Sequence, residues 1–352
     1  MADTYVLIDG TEYRGWERIR VNKSLFELAS VLELEVAEGW HADSRLTRIK
    51  TGAEFEVLHN GELLLAGHID GRTIEYDSET HTVQLIGRDF GADLVDCSAY
   101  HKKGEWSDTP LLRVLRDLTD GFVTGVIAEN GVKLQQIITF AIETGETISD
   151  AVNRALSRVG YVAQVDNEKR LVITQTGNAV ARPLTLGYNV SKGSLSSSIA
   201  SRYNSYRVQS ELSGGAWSNA QLPKSAKPYV EVRDALIRKP RRLVIWEEFA
   251  SESLCRKRAE HERAMRAGQG DSLTYTVPGW AQDTGGLWPI NAKVPVVDTY
   301  MDIDAELLIV GASFSLDENG HMVELLVMHP DVVSAPVEPL KELQGAKWSG
   351  AA

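Results

Sequence analysis

The chain has 352 residues, of which 43% are hydrophobic and 24% charged, so it is long enough for two to four globular domains with sizeable cores. Its formal net charge of −12 argues against nucleic-acid binding by phosphate neutralisation, which requires clustered Lys and Arg. We expect no signal peptide, no membrane span and no disulfide, because no apolar run is long enough and only Cys97 and Cys255 are present.

The first 96 residues carry the pattern of an antiparallel β domain. Asp9-Gly10 separates two short strands, and Asn60-Gly61 supplies the positive φ values that a two-residue hairpin requires. Leu32, Leu34 and Val36 alternate with glutamates, which is typical of a strand with one wet face. Residues 72–76 and 82–86 form a further predicted hairpin.

Residues 97–185 change to a mixed pattern that predicts a small α/β domain. One helix is predicted after Thr109 as cap, with Pro110 in the first helical position. A second begins at Thr147, where Asp150 completes a capping-box spacing, and ends at Gly160. The strands 161–165 and 170–174 follow.

Residues 186–330 return to strands and are predicted to form a second β domain. Residues 193–201 are rich in Ser and Gly and predict a hinge or loop, and 213–228 an exposed loop. A long helix is predicted over 246–267, with Gly268 as its stop. The predicted strands that follow cover residues 273–277, 294–297, 306–316 and 322–328. Residues 331–352 look like a C-terminal tail without its own core.

An internal repeat links the two β domains. Residues 69–86 align with 309–326 without a gap, with identical residues at six positions: Ile69/Ile309, Gly71/Gly311, Asp77/Asp317, His81/His321, Val83/Val323 and Leu85/Leu325. Two unrelated hairpins remain the plainer interpretation. The alternative, two related β domains, gives a fold class of α+β, mainly β, with two antiparallel β-barrel-like domains around a small α/β domain.

The search for catalytic chemistry gives little. No nucleophile elbow, phosphate-binding loop or zinc-protease motif is present, so no cofactor or metal is predicted. Asp89, Asp93 and Asp96 would share one face of a helical turn and could serve a glycosidase, although capping and salt bridging explain them better. The tryptophans could stack on sugars, but packing or an interface is the simpler explanation for Trp280 and Trp288.

Several short motifs occur in a fixed order along the chain. They are Gly15-Trp16, the segment 22–27, Gly67-His68-Ile69-Asp70, the segment 87–98, Trp106 with Pro110-Leu111-Leu112, Arg182-Pro183-Leu184, Val277-Pro278-Gly279-Trp280 and Gly286-Leu287-Trp288-Pro289-Ile290-Asn291. Together they resemble the baseplate hub proteins of Mu-like contractile phage tails, the late-control-D type family. The resemblance spans about residues 5–330, and one departure is Lys23, where relatives more often carry Arg.

This resemblance implies a non-enzymatic homotrimer that adapts a six-fold tail tube to a three-fold central spike and encloses a channel for tape measure protein and DNA. Expected partners are the spike, tube, tape measure and baseplate wedge proteins, in a virion assembled in the host cytoplasm. A tail-associated cell-wall hydrolase and a glycan-binding module remain the alternatives. The residues expected at interfaces are Trp16, Asp89, Asp93, Trp280, Trp288, Leu340, Leu343 and Trp348.

Overall fold

A computed structural model describes residues 3–37, 49–78, 81–135, 137–211, 229–248, 252–283 and 285–333. Within these ranges the chain is mainly β, with α-helices in its middle and before its last strands. The predicted loop 213–228 and residues 334–352 of the predicted tail, with Leu340, Leu343 and Trp348, lie outside them. The start of the tail at 331 is wrong, because Val332 and Val333 are buried in a cluster with Leu308 and Met328.

The described residues of the N-terminal part form seven strands and one short helix. They are β1 (Thr4–Ile8), β2 (Thr11–Tyr13), β3 (Arg18–Ser24), β4 (Val31–Ala37), β5 (Glu54–His59), β6 (Glu62–Tyr76), β7 (His81–Asp89) and α1 (Ala92–Asp96). The two predicted tight turns are confirmed, because Asp9, Gly10, Asn60 and Gly61 all have positive φ values, between 47° and 81°.

The middle part forms two small sheets packed with two helices around a core of its own. Its elements are β8 (Glu105–Pro110), α2 (Leu111–Leu118), β9 (Gly125–Ala128), β10 (Ile137–Ala141), α3 (Ile148–Ser157), β11 (Val162–Val165) and β12 (Arg170–Thr174). The capping box of Thr147 and Asp150 is confirmed. The cap at Thr109 is wrong, because β8 continues through Pro110, whose ψ of 136° keeps it extended, and Thr109 Oγ1 donates instead to the Ser107 carbonyl.

The C-terminal part supplies the remaining strands and the longest helix. They are β13 (Leu184–Thr185), β14 (Lys192–Ser197), β15 (Ser205–Glu211), β16 (Tyr229–Arg233), β17 (Arg242–Glu248), α4 (Glu252–Gly270), β18 (Asp271–Pro278), β19 (Lys293–Asp298), β20 (Ile303–Asp317) and β21 (Gly320–Met328). A single 3₁₀ turn, Pro330–Val332, follows the last strand.

Three predictions for this part are wrong. The Ser-rich stretch from 193 is largely a strand, since β14 pairs along its length with β18. The helix does not begin at 246, because residues 242–248 form β17, which pairs in parallel with β15. Gly268 is not a stop either. It lies inside α4, where a side chain would collide with Val332, so the glycine serves close packing.

One thirteen-stranded sheet joins the N- and C-terminal β segments among the described residues. The junction is the antiparallel pair of β3 and β20, from Gly311 opposite Ser24 to Leu316 opposite Ile19. Both segments contribute to the same core, in which Val21 and Phe314 are buried. The barrel-like form and the domain boundaries at 96 and 185 stay predictions.

Candidate assembly interface

The repeated segments 69–86 and 309–326 occupy equivalent strands. In β6 and β7, Gly71 lies opposite Ile86, and in β20 and β21, Gly311 lies opposite Leu326. Both ladders shift register at the same place, just after Ile69 and just after Ile309. A shared bulge at matching positions is a feature conserved between related hairpins rather than one expected of unrelated ones. The repeat is therefore a structural one.

The equivalence extends to the neighbouring strands. The order β3-β4-β7-β6-β5 in the N-terminal segment corresponds to β14-β18-β21-β20-β19 in the C-terminal segment. Pairing register equates Val21 of β3 with Leu195 of β14, because these residues lie opposite Leu32 and Leu273, which occupy matching places beside β7 and β21.

This correspondence leaves two strand edges open in the described part of the chain. Strand β20 pairs with β19 along residues 303–308, and on the same edge its residues 311–316 pair with β3. The matching edge of β6 beyond β5, at residues 73–75, pairs with no described strand, and neither does the outer edge of β14. Unpaired edges offer backbone donors and acceptors to another chain.

Burial separates the closed junction from the open edges. Phe314 and Val21 face each other across the β20–β3 pair and are 1% and 0% exposed. Their counterparts, Ile74 and Leu195, are 41% and 37% exposed, although each lies opposite a buried apolar residue of its inner neighbour. Each open edge thus presents an apolar side chain on the core-facing side of the sheet.

Two of the three aspartates at the end of β7 and in α1, Asp89 and Asp96, are held in structural contacts. Asp89 is buried, and its carboxylate accepts hydrogen bonds from the backbone amides of Ser30 and Gly91, both at 2.9 Å. Burial raises the pKa of this carboxyl, and the hydrogen bonds oppose the rise. Asp96 pairs with Arg88 at 2.6 Å, which also contacts Asp70.

Asp93, by contrast, is exposed in the first turn of α1. Asp89 precedes that helix, so the three carboxylates do not share a helical face. The salt-bridging interpretation is met by Asp96, whereas the capping interpretation is not, because α1 has no side-chain cap.

The tryptophans expected at interfaces lie in the core of the single chain. Trp280 is fully buried and its indole donates to the Ser315 carbonyl at 2.8 Å. Trp288 and Trp16 are also buried, at 4% and 8% exposure. Core packing accounts for all three, and an interface role for them stays a prediction.

A pair of histidines lies beside Trp280. The Thr4 hydroxyl oxygen is 2.7 Å from Nδ1 of His59 and from Nε2 of His321. Burial lowers the pKa of His59 to about 4, with a further contribution from His321, and burial also lowers the pKa of His321 below its ordinary value. Both imidazoles are therefore neutral packing groups near pH 7. In the described ranges no cluster of three His, Cys, Asp or Glu side chains could hold a metal.

Sequence reasoning missed Ile74 and Leu195. The repeat was the available signal, because it places Ile74 opposite Phe314 in the alignment. The alignment does not show that β20 pairs with β3, because β3 and its counterpart β14 share no obvious residue pattern.

Comparison with known proteins gives three family matches in chain order. Residues 3–89 match the N-terminal domain of the Mu phage baseplate assembly protein GpP-like family, and residues 91–175 the second domain of the baseplate hub protein gp44-like family. Residues 251–335 match the fourth domain of the Mu phage baseplate assembly protein GpP.

Individual relatives cover nearly the whole chain. The baseplate hub protein gp44 of Escherichia phage Mu is 24% identical over 349 residues, which are 96% of this chain and 91% of that protein. The 43 kDa tail protein of prophage MuSo2 from Shewanella oneidensis is 30% identical, with a TM-score of 0.82 over 94% of this chain and 99% of its own. A tail protein from Neisseria meningitidis MC58 is 20% identical, with a TM-score of 0.82 over 96% and 99%. Among the described helices, none is long and apolar enough to cross a membrane.

Proposed function

This chain belongs to the family of Mu-like phage baseplate hub proteins, and we propose that three copies form a ring that adapts a six-fold tail tube to a three-fold central spike. The observation that carries the proposal is the structural repeat. Because each chain holds two equivalent β units, three chains present six similar units. A ring of this kind is cyclic, so every contact between copies is head-to-tail.

We propose that neighbouring chains pair in the same way as β3 and β20 pair within one chain. In the register of β3 on β20, β14 of one copy pairs with residues 71–76 of β6 in the next, and Leu195 lies opposite Ile74. The open edges support this pairing, since each has the length and the apolar residue that the closed junction has. Fully burying an Ile or Leu contributes about 1.5–3 kcal/mol, so covering the exposed fractions adds roughly 1 kcal/mol for each side chain.

The remaining partners follow from the position of such a ring. The expected contacts are the tail tube protein, the central spike protein, the tape measure protein and the baseplate wedge proteins. Residues 97–185 would lie outside or below the ring, and the tail 331–352 would, beyond Val333, gain order on contact with the spike or a neighbouring copy. We place the protein in the virion tail, assembled in the host cytoplasm.

The channel of the ring is proposed to be lined by acidic or neutral side chains, which would let DNA pass without binding it. The net charge of −12 permits this lining, although it does not place the acidic side chains at the channel. We further propose that the chain has no enzymatic activity, because Asp89 and Asp96 are engaged in structural contacts. Hydrolysis of peptidoglycan by the purified chain, lost in Asp89→Ala or Asp93→Ala, would instead support the hydrolase alternative.

Cysteine cross-linking of the full chain tests the register. The double variant Ile74→Cys with Leu195→Cys is oxidised and its mass measured under denaturing, non-reducing conditions. We expect covalently linked trimers, because each copy contributes its residue 74 to the contact with one neighbour and its residue 195 to the contact with the other. The native cysteines serve as an internal reference, because Cys255 is buried and Cys97 partly so.

Two controls make the result specific. Each single variant is expected to give no linked trimer. The off-register pair Ile74→Cys with Ser197→Cys places its thiols two residues apart along the strand and is expected to link far less. Equal linking by both pairs, or a solution mass of one chain with and without the spike, would refute the ring.

A further inference from the structure

The closed junction of β3 and β20 continues past Val21 and Phe314. At its end, two residues further on, Leu316 lies opposite Ile19. Ile19 is fully buried, and Leu316 is partly buried against the same core. Two apolar side chains of similar size therefore fill the end of this junction.

The open edges carry a different pair of residues at the matching place. The register proposed between copies sets Ile74 opposite Leu195. Because antiparallel partners run in opposite directions, it also sets Tyr76 of one copy opposite Gly193 of the next. The Tyr76 side chain is 77% exposed at the end of β6. One partner is thus larger than its counterpart in the closed junction, and the other is smaller.

Gly193 lies directly above the core of the C-terminal β segment. A Cβ at this position would be 3.1 Å from the ring of Tyr275 and 3.2 Å from the terminal methyl group of Met301. Tyr275 is fully buried in this core, and Met301 packs against it. An aromatic ring on the neighbouring strand can cover a glycine of this kind and so replace the packing that its missing side chain would supply.

A pair of opposite charges lies on the other face of the same strands. Lys192 begins β14 and Glu75 lies near the end of β6, and both are exposed. In the register between copies they are diagonal neighbours, which long side chains can bridge. The closed junction shows the same reach, because Arg20 lies opposite Ser315 and its Nε donates to Ser313 Oγ at 3.2 Å.

We propose that these residues form a second set of contacts between neighbouring copies, which rests on the ring proposed above. The Tyr76 ring of one copy packs over Gly193 of the next, and the Lys192 ammonium group of that next copy pairs with the Glu75 carboxylate of the first. The complementary sizes and charges support a second copy of this chain as the partner. A slip of two residues would set Tyr76 opposite Leu195 instead, so these contacts also fix the register.

Exchange of copies between rings of the full chain tests this proposal. Rings labelled with a donor dye are mixed with rings labelled with an acceptor dye, and energy transfer reports the exchange rate. Tyr76→Ser is expected to speed exchange at least tenfold, and Lys192→Glu about threefold at low salt and less at high salt. The matched controls are Tyr100→Ser, which removes a ring that is 80% exposed, and Lys103→Glu, which makes the same charge change at an exposed position.

A compensating change separates pairing between copies from a general loss of stability. Glu75→Lys combined with Lys192→Glu exchanges the two charges and is expected to slow exchange relative to Lys192→Glu alone. Exchange by Tyr76→Ser and Lys192→Glu no faster than by their controls, or no recovery in the combined variant, would overturn these contacts and leave the ring standing. A solution mass of one chain with and without the spike would instead refute the ring itself, and these contacts with it.

Discussion

Replacing Glu247 by Ala is expected to loosen the contact between the middle part of the chain and the sheet formed by β16, β15 and β17. Glu247 lies on β17 and is 8% exposed. Its carboxylate oxygens are 3.1 Å from Nε of Arg158, which follows α3, and 3.3 Å from Nε of Arg258 in α4. One carboxylate therefore neutralises two guanidinium groups from different elements.

The structure sets the size of the effect. Removing one partner of a buried ion pair costs about 3–5 kcal/mol, because the remaining charge is left without compensation. Arg258 keeps a second contact with Glu262 at 3.3 Å, and Arg158 keeps its hydrogen bond to the Thr139 carbonyl. The lower end, about 3 kcal/mol, is therefore expected.

Hydrogen exchange of the full chain measures this loss locally. A decrease of about 3 kcal/mol corresponds to roughly 150-fold faster exchange of amides in β17 and α4, where exchange follows local opening. Peptides from β5 and β6 serve as an internal reference.

The control is Glu252→Ala, which removes an exposed carboxylate 3.8 Å from Arg256 on the same helix. An exposed pair of this kind contributes at most about 0.5 kcal/mol, so exchange is expected to rise no more than roughly twofold. If Glu247→Ala exchanged no faster than this control, the reasoning about the buried ion network would be wrong.

Three further predictions concern single positions. Gly67→Ala would place Cβ 1.9 Å from the Arg88 carbonyl oxygen, so the free energy of unfolding should decrease by about 1–3 kcal/mol and the thermal midpoint should fall. Gly71→Ala is the control, because the nearest atom to its Cβ is 3.8 Å away and the midpoint should fall far less. Equal falls for the two variants would contradict this reasoning. Thr147→Ala removes the capping box and should cost about 1 kcal/mol in the exchange of α3, and no change there would count against the cap. Stability should decrease as pH falls from 6.5 to about 4, because unfolded histidine takes up a proton first, and His59→Gln should flatten this dependence of the thermal midpoint; an unchanged slope would disprove it.

Local signals in the sequence predicted local structure well. The Asn60-Gly61 turn and the capping box at Thr147 were predictable because each depends on residues within a few positions of one another. The repeat was predictable for a different reason, since two related hairpins keep the same residues at the turn and at the bulge.

Pairing between distant strands was not predictable in the same way. Strand β14 consists mostly of Ser and Gly with Leu195, and its place in the sheet comes from backbone hydrogen bonds to β18, which leave no side-chain pattern. Strand β17 has four consecutive apolar residues at 243–246, but Trp246 and the following glutamates also suit a helix start. Only the ladder with β15 decides between the two.

The candidate interface was hidden for a related reason. An apolar residue in a strand looks the same in sequence whether a partner covers it or not, so Ile74 carries no sign of its exposure. The open edge becomes visible only when the closed junction of β3 and β20 supplies the comparison.

The junction of β3 and β20 also has a consequence for how the chain is made. Ser313 of β20 bonds Asn22 of β3 across 291 positions of sequence. At about 5–20 residues per second, a ribosome takes roughly 15–60 s to add that length. During this time β3 can pair with β4 on one side, but its other edge has no native partner until β20 emerges. During this interval a nascent chain carries an edge that the β6 edge of another nascent chain could capture. Chains produced at high density on one message are thus exposed to strand exchange, and slow dilution during refolding should raise the yield of correctly closed chains.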